Sequence, residues 1–456
     1  MKKLLIGIFG FCLLTACHEN KQGTVELDDY VKPIKIESLQ FNHPCALYTA
    51  TDFQRVKTAL EAGTAPAEVQ AEFEALKANK YTNGSYGVTV HAHEQIVRGD
   101  PKGTKEGVEN YADAFRDAAA AYQFALLWKL TGDNAYADKA LTILTGWAKI
   151  CKEITANDAN HFLAAGAQGF TFACAGELLR DYSAWSKESF QIFQQWMLDV
   201  FAVKNKDFLD RHASTRCGPR HYWSNWDLVN MCSYLQIGIL TENKDMVLYI
   251  VNYFLTSGVG NGRLKFLCSA SHTDPLGTGE TIIQAQESGR DQGHAVMSGA
   301  VVMQLCQAAY ALYQSNPTVE ALDFYKQDDY AVLHLVEYIA LTNLREGEDK
   351  ANTTGAWTIP SVQIPFATVG PWCTGDESHE AARVQTVFSE SGRGTIRPGW
   401  EMMLRYCKKN GIGGYAYTEK MATKLRPEKG AGDTDRYGDN SGAFDQVGWS
   451  TLMCYE

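Results

Sequence analysis

The feature that most narrows what this chain can fold into is a series of helical runs that are apolar over most of their circumference. Ala295–Ser315 carries no charged residue, Asn225–Leu240 carries only Asp227, and Phe162–Tyr182 is nearly as apolar. A helix of that kind cannot leave one face in water and needs neighbours on two sides. The runs also come in pairs. Asp113–Leu130 and Asn134–Glu153 are separated by Thr131-Gly132-Asp133, with Asp133 placed to cap the second helix. Lys187–Val203, Lys244–Leu255 and Glu320–Ala340 add further helices, and convincing strand runs are few, so the pattern predicts an all-α fold. A ring of hairpins gives each apolar helix two neighbours, which favours an (α/α) toroid, an incomplete barrel of helical hairpins, over a simple bundle. The runs are too irregular for a repeat solenoid. No linker rich in Pro, Gly or Ser interrupts residues 41–420, so one body is expected over 41–424. From Gly430 to Gly442 the chain turns to Gly, Asp, Ser and Asn, and 425–456 is expected to be a loop-rich C-terminal tail packing on the toroid.

The N-terminus reads as an export signal. Lys2 and Lys3 precede the apolar run Leu4–Leu14 and the exit Leu14-Thr15-Ala16-Cys17, a core too short for a spanning helix. The last four residues resemble a bacterial lipobox. That implies a lipoprotein signal peptide over 1–16, cleavage before Cys17, lipidation of Cys17 and a tether over 17–40; an ordinary signal peptide with an incidental cysteine is the other reading. No later apolar stretch is expected to reach the roughly 18 residues needed to span a bilayer. The expectation is a periplasmic or cell-surface lipoprotein of a Gram-negative bacterium, held at the membrane through Cys17.

The formal net charge of −11 argues against a nucleic-acid partner, because non-specific binding needs a basic field. An acidic substrate remains open if positive groups are concentrated in a cleft. Twelve cysteines are scattered without a C-x-x-C pair, which speaks against a zinc cluster or a disulfide scaffold. Cys174, Cys232 and Cys306 fall in apolar runs and read as buried thiols, with one or two disulfides open.

Gln286-Glu287-Ser288-Gly289-Arg290-Asp291-Gln292-Gly293-His294 concentrates a carboxylate, a guanidinium, an amide and an imidazole just before an apolar run. If that helix already covers the segment, its period puts Glu287, Arg290, Asp291 and His294 on one face. Gly289 and Gly293 then mark places where a ligand or a neighbouring backbone comes close. A buried ion-pair network tying two helices together is the alternative.

His43-Pro44-Cys45, the Tyr111–Trp147 hairpin, Ala175-Gly176-Glu177-Leu178-Leu179-Arg180, Asn225-Trp226-Asp227-Leu228-Val229-Asn230, Glu287–His294 and Ser391-Gly392-Arg393-Gly394-Thr395-Ile396-Arg397-Pro398 together resemble the alginate lyase superfamily of polysaccharide lyases. The similarity spans roughly residues 43 to 405 and is nearest to the gut-Bacteroides type of alginate and glucuronan lyases. It implies an α/α-toroid catalytic domain that cleaves a polyuronate by β-elimination, with no cofactor and no metal. Such a reaction needs a group to neutralise the uronate carboxylate, a base for the C5 proton and an acid for the departing O4.

Asn225 resembles the neutralising asparagine of related lyases. Those relatives follow it with histidine, whereas Trp226 stands here, so the base is expected elsewhere, at His294. Glu287 and His294 have the spacing that the relatives give to an arginine and a catalytic tyrosine. Glu287 is expected to orient His294 or, protonated, to assist neutralisation; Arg290 suits a bidentate carboxylate clamp. Tyr222 is the candidate acid, three residues from Asn225. The rival readings are a packed aromatic for Tyr222, a structural imidazole for His294 and a helix cap for Asn225.

His91, His93 and Arg98, in a polar loop after Tyr81 and Tyr86, suit a cleft wall for an acidic glycan or an ordinary solvated loop. His161 and Gln168 could point into the ring, Arg393 and Arg397 could bind flanking carboxylates, and Trp226, Trp357 and Trp372 could stack on sugars. The leading expectation is an alginate lyase acting on polymannuronate. The alternatives are a glucuronan lyase, a glycoside hydrolase using Asp227 with Glu287 or Asp291, and a glycan-binding lipoprotein.

Overall fold

Gly132 and Asp133 set the first hairpin. In the computed structural model, which describes residues 32–83, 86, 89–99, 108–156, 158–211, 220–345, 358–366 and 383–456, Gly132 takes φ 75° and ends α3 (Tyr111–Thr131). The Asp133 carboxylate then accepts from the N–H of Ala135 at 2.9 Å and starts α4 (Asn134–Ile150). Two helices absent from the sequence reading come earlier, α1 (Ala50–Glu61) and α2 (Ala67–Ala78). After α4 follow α5 (Asn160–Leu179), α6 (Lys187–Trp196), a π-helical turn over Met197–Ala202, α7 (Val203–Arg211), α8 (Ser224–Leu240), α9 (Lys244–Asn252), α10 (Leu264–Leu267), α11 (Gln292–Tyr313) and α12 (Gln327–Asn343). The last helices are α13 (Trp400–Asn410), α14 (Ala416–Leu425), α15 (Thr434–Tyr437) and α16 (Ser450–Cys454). The run expected over Glu320–Ala340 is broken: a 3-10 turn at Glu320–Leu322 is followed by three left-handed residues, Asp328, Asp329 and Tyr330, before α12 proceeds.

The result is an all-α toroid. Successive inner helices α3, α5, α8 and α11 lie against one another, and α4, α7, α9 and α12 flank them. Every residue of α8 is buried, as its lack of a polar face requires. By length and composition α5 and α11 could each cross a membrane, contrary to the sequence expectation; both are buried inside the ring. Glycines let α5 and α8 approach closely, because a Cβ on Gly166 would lie 2.6 Å from Val229 Cγ2 and 2.8 Å from the Val229 carbonyl carbon.

Three two-stranded sheets brace the loops. β1 (Gln95–Val97) pairs in parallel with β2 (Glu153–Thr155), fixing the segment that leads to Arg98. β3 (Cys268–Thr273) and β4 (Thr281–Ala285) form an antiparallel hairpin that delivers the chain to Gln286. β5 (Ile364–Phe366) pairs with β6 (Arg383–Gln385).

The tail closes the ring, since α16 rests on α1, α2 and α13 and so joins the first helices to one of the last. Two buried carboxylates hold it there. Glu72 accepts from the backbone N–H groups of Lys429 and Leu452, and Glu428 from those of Gly399 and Ser450. Burial, and then the neighbouring Glu428, keep the Glu72 carboxyl well above the usual carboxylate range.

The His43-Pro44-Cys45 and Ala175–Arg180 motifs meet in a charge network. His43 Nδ1 contacts Glu177 at 2.5 Å, Arg180 donates to Glu177 and to Glu242, and Cys45 N–H donates to Glu177. These carboxylates are already matched by Arg180 and His43, so the cluster serves to pin the N-terminal segment across the ends of α5 and α8. Among the described residues the eight cysteines are free thiols. Residues 1–31, Cys17 included, lie outside the described residues, as do Trp357 and Trp372.

Two predictions follow from this packing. Gly166→Ala should destabilise the fold by about 1–3 kcal/mol through overpacking at the α5–α8 contact, measured by denaturant unfolding. Glu337 on α12 accepts from the first N–H groups of α14, at Tyr417 and Thr418, and burial pushes its carboxyl from 4.5 up to about 7. A raised acid favours the folded state below its unfolded value, and that contribution is lost as pH rises through 7. Stability should therefore fall more steeply between pH 4.5 and 7 in the wild type than in Glu337→Gln; parallel curves would rule Glu337 out.

Candidate active site

The helix expected to run through Glu287–His294 begins later. Residues 286–290 form a turn after β4, Asp291 is extended, and its carboxylate caps α11 by accepting from His294 N–H at 2.9 Å. The cause is local: Asp favours the cap over the helix interior, and Gly289 and Gly293 weaken the helix on either side. Gly289 is also a close approach, since a Cβ there would run into the backbone carbonyl of Thr386.

The turn nevertheless gathers the charged residues. Glu287 is fully buried and accepts from five donors: the Ser224 hydroxyl at 2.9 Å, Asn225 N–H at 2.8 Å, Asn225 Nδ2 at 2.8 Å, the Ser298 hydroxyl at 2.9 Å and Arg290 at 2.9 Å. It sits at the start of α8, where the helix dipole favours a carboxylate. Asn225 spends its amide hydrogens on both oxygens of Glu287, so its Oδ1 is the end left for the cavity. Arg290 is then a donor that faces the cavity, and Asn225 Oδ1 an acceptor.

The Arg290 guanidinium lies 4.6 Å above the Trp223 ring and reaches His294 Nε2 at 3.1 Å. On its other side, His294 Nδ1 contacts Asp291 at 2.7 Å. Burial alone would raise the Asp291 carboxyl, but its bonds to His294 and the charge of Arg290 outweigh that and hold it below the ordinary value. Glu287 does not touch His294; the imidazole is oriented by Asp291 instead.

Asn225, Trp226, Arg290, His294, Arg98 and Arg397 share one cavity of about 320 Å³. Arg98 stacks 4.7 Å from the Tyr111 ring, and Arg397 pairs with Asp445 at 2.9 Å. Three guanidiniums and one carboxylate line the cavity, with Glu287 and Asp291 paired to Arg290 behind the wall. A larger cavity of about 720 Å³ near α13 and α14 is walled by Glu280, Glu337, Glu419 and Lys408, the last paired with Glu419 at 2.7 Å.

Other candidates lie outside this lining. Tyr222 precedes α8 rather than sharing a helical turn with Asn225, and its ring is buried against Phe208 and Trp226 at 4.7 and 5.4 Å. His161 bonds the Asp158 carbonyl at 2.8 Å, and burial lowers its imidazole to about 4, so it carries no charge near neutrality. Gln168 is buried and ties α5 to the Tyr111 carbonyl. His91 leans on the buried Asp117 at 2.9 Å, while His93 pairs with Asp113. Arg393 turns to the Thr342 carbonyl at 2.8 Å and to Glu390. Ser441, Gly442 and Asp445, none of them a candidate from the sequence, are brought to the cavity by the tail. No periodicity in a Gly- and Asp-rich loop could have singled them out.

The sequence model of the Alginate lyase family matches residues 65–261, a span that includes Arg98, Asn225 and Trp226 but ends before Arg290 and His294. No curated protein matches the chain in sequence. Among solved structures, alginate lyase A1-III of Sphingomonas species A1 is similar over 91% of this chain and 97% of its own, at 12% identity and TM-score 0.54. A tetrasaccharide complex of a tyrosine-to-phenylalanine variant of that lyase is similar over 92% and 99%, at 11% identity and TM-score 0.53. A Bacteroides ovatus alginate lyase is similar over 68% of this chain and 86% of its own, at 13% identity and TM-score 0.46. The structural likeness gives the toroid fold, and over residues 65–261 the chain is similar to the Alginate lyase family.

Proposed function

We propose that the protein cleaves a 1,4-linked polyuronate, mannuronate-rich alginate first, by β-elimination, leaving a 4,5-unsaturated end. The observation that carries this reading is the meeting of Arg290, Arg98, Arg397 and His294 in one cavity. Arg290 binds the carboxylate of the reacting sugar and draws charge from C5, which lowers the cost of removing its proton. His294 takes that proton.

Among the described residues His294 is the one imidazole in the lining, and the lining contains no phenol. A single group can serve as base and then as acid only if the C5 proton and O4 lie on the same face of the sugar. That holds for mannuronate and for its C2 epimer glucuronate, and fails for guluronate. Glucuronan is accordingly the second substrate to test. The hydrolase alternative is disfavoured because Asp227 is sealed by Tyr253 and Gly262 N–H, Glu287 by its five donors, and Asp291 is engaged by His294. The acid–base machinery exceeds what a glycan-binding lipoprotein needs. For placement in the cell we propose lipidation at Cys17 and residence in the periplasm or on the cell surface; radiolabelled palmitate incorporation that is lost in Cys17→Ala would test it.

Incubation with polymannuronate should give a rise in ultraviolet absorbance from the new C4=C5 bond, with little or none on polyguluronate. His294→Ala should reduce the rate by about 10²–10⁴-fold. Reducing ends accumulating without absorbance would mean hydrolysis instead. Arg290→Lys, which keeps charge but loses the planar fork, should lower kcat/KM by about ten- to a hundredfold, the worth of one charge-assisted hydrogen bond.

A further inference from the structure

The hydrogen-bond chemistry around His294 admits one tautomer. Nδ1 lies 2.9 and 2.7 Å from the two oxygens of Asp291, a carboxylate that accepts, while Nε2 lies 3.1 Å from Arg290, which can only donate. A hydrogen on Nδ1 and a lone pair on Nε2 satisfy both neighbours. The opposite tautomer would aim an N–H at a guanidinium and a lone pair at a carboxylate. The same carboxylate also caps α11 through the backbone N–H of His294, so one group fixes both the ring and the backbone that carries it.

We propose that Asp291 is the positioning residue of the reaction: it sets the Nδ1–H tautomer of His294 and thereby keeps Nε2 as the atom that takes and returns the proton. This rests on the reading of the cavity as a polyuronate lyase site. The step balances without an oxidant or a co-reactant. Nε2 takes the C5 proton, the C–H electron pair becomes the C4=C5 bond, the C4–O4 bond breaks, and the proton passes from Nε2 to O4. Asp291 keeps the Nδ1 hydrogen in place throughout and stabilises the transient imidazolium. Arg290 covers Nε2 in the described arrangement. A uronate carboxylate competes for that guanidinium in a bidentate pair, so the group that activates C5 also uncovers the base.

The test uses the full protein with isotopically labelled histidine, the His294 signals being assigned by their loss in His294→Gln. Asp291→Asn retains a helix N-cap, but its amide can donate to Nδ1. Wild type should show the Nδ1–H tautomer by nitrogen NMR and Asp291→Asn the Nε2–H tautomer. In the same variant kcat on polymannuronate should fall by about 10²–10⁴-fold, with KM within about threefold. Asp291→Ser, which also caps a helix but supplies no carboxylate, should lose kcat in the same direction and carries the test if the asparagine variant does not fold. An Asp291→Asn protein that keeps the Nδ1–H tautomer, or keeps wild-type kcat, overturns the proposal. If the wild type eliminates no polyuronate, the lyase reading falls, and the tautomer measurement still decides whether Asp291 sets the ring.

Discussion

Glu287 is a carboxylate withdrawn from water, and its five donors come from α8, from α11 and from the turn between β4 and α11. Taking such a group out of water costs several kcal/mol, recovered only while all its partners hold their places. The two inner helices and the turn are therefore registered against one another at this point. Arg290 inherits its position from Glu287, Asn225 its amide orientation, and His294 its distance from both. A packing contact could slide by an ångström at modest cost; a buried carboxylate with its donors cannot.

The surrounding ring makes that node possible. Inner helices with no polar face have no stable position at a surface, so the hairpins must close around them. The ends of those helices become the place where polar groups can collect, because backbone N–H groups are unspent there. The start of α8 receives Glu287 and the start of α11 receives Asp291, two carboxylates at two helix N-termini a few residues apart in sequence. The chemistry of the cavity is thus built from helix ends, with arginines brought in from loops and Asp445 from the tail.

Much of this was legible in the chain itself. The inner helices α3, α5, α8 and α11 were visible because unbroken apolarity has few structural outlets, and the cleft residues Arg98, Asn225, Arg290, His294 and Arg397 because polar groups in such a setting need a reason. α1 and α2 were not seen; they carry many polar residues and few buried ones, a weaker pattern. Asp291 was read as a helix-face residue although an Asp just before a long apolar run is a cap signal. Tyr222, His161 and Gln168 went to packing because spacing along a helix says which residues share a face, and nothing in it says whether that face meets the cavity or a neighbour. Asp445 and Ser441 were out of reach, since their place depends on how the tail crosses the ring.

That crossing has a bearing on when the cavity can form. The segment that joins the first helices to α13 is also the one that brings Asp445 to Arg397. During synthesis, α1 and α2 are complete hundreds of residues before the helix they must meet has left the ribosome. Until α16 has docked on α1, α2 and α13, the ring has no contact at that point and Asp445 is not held beside Arg397.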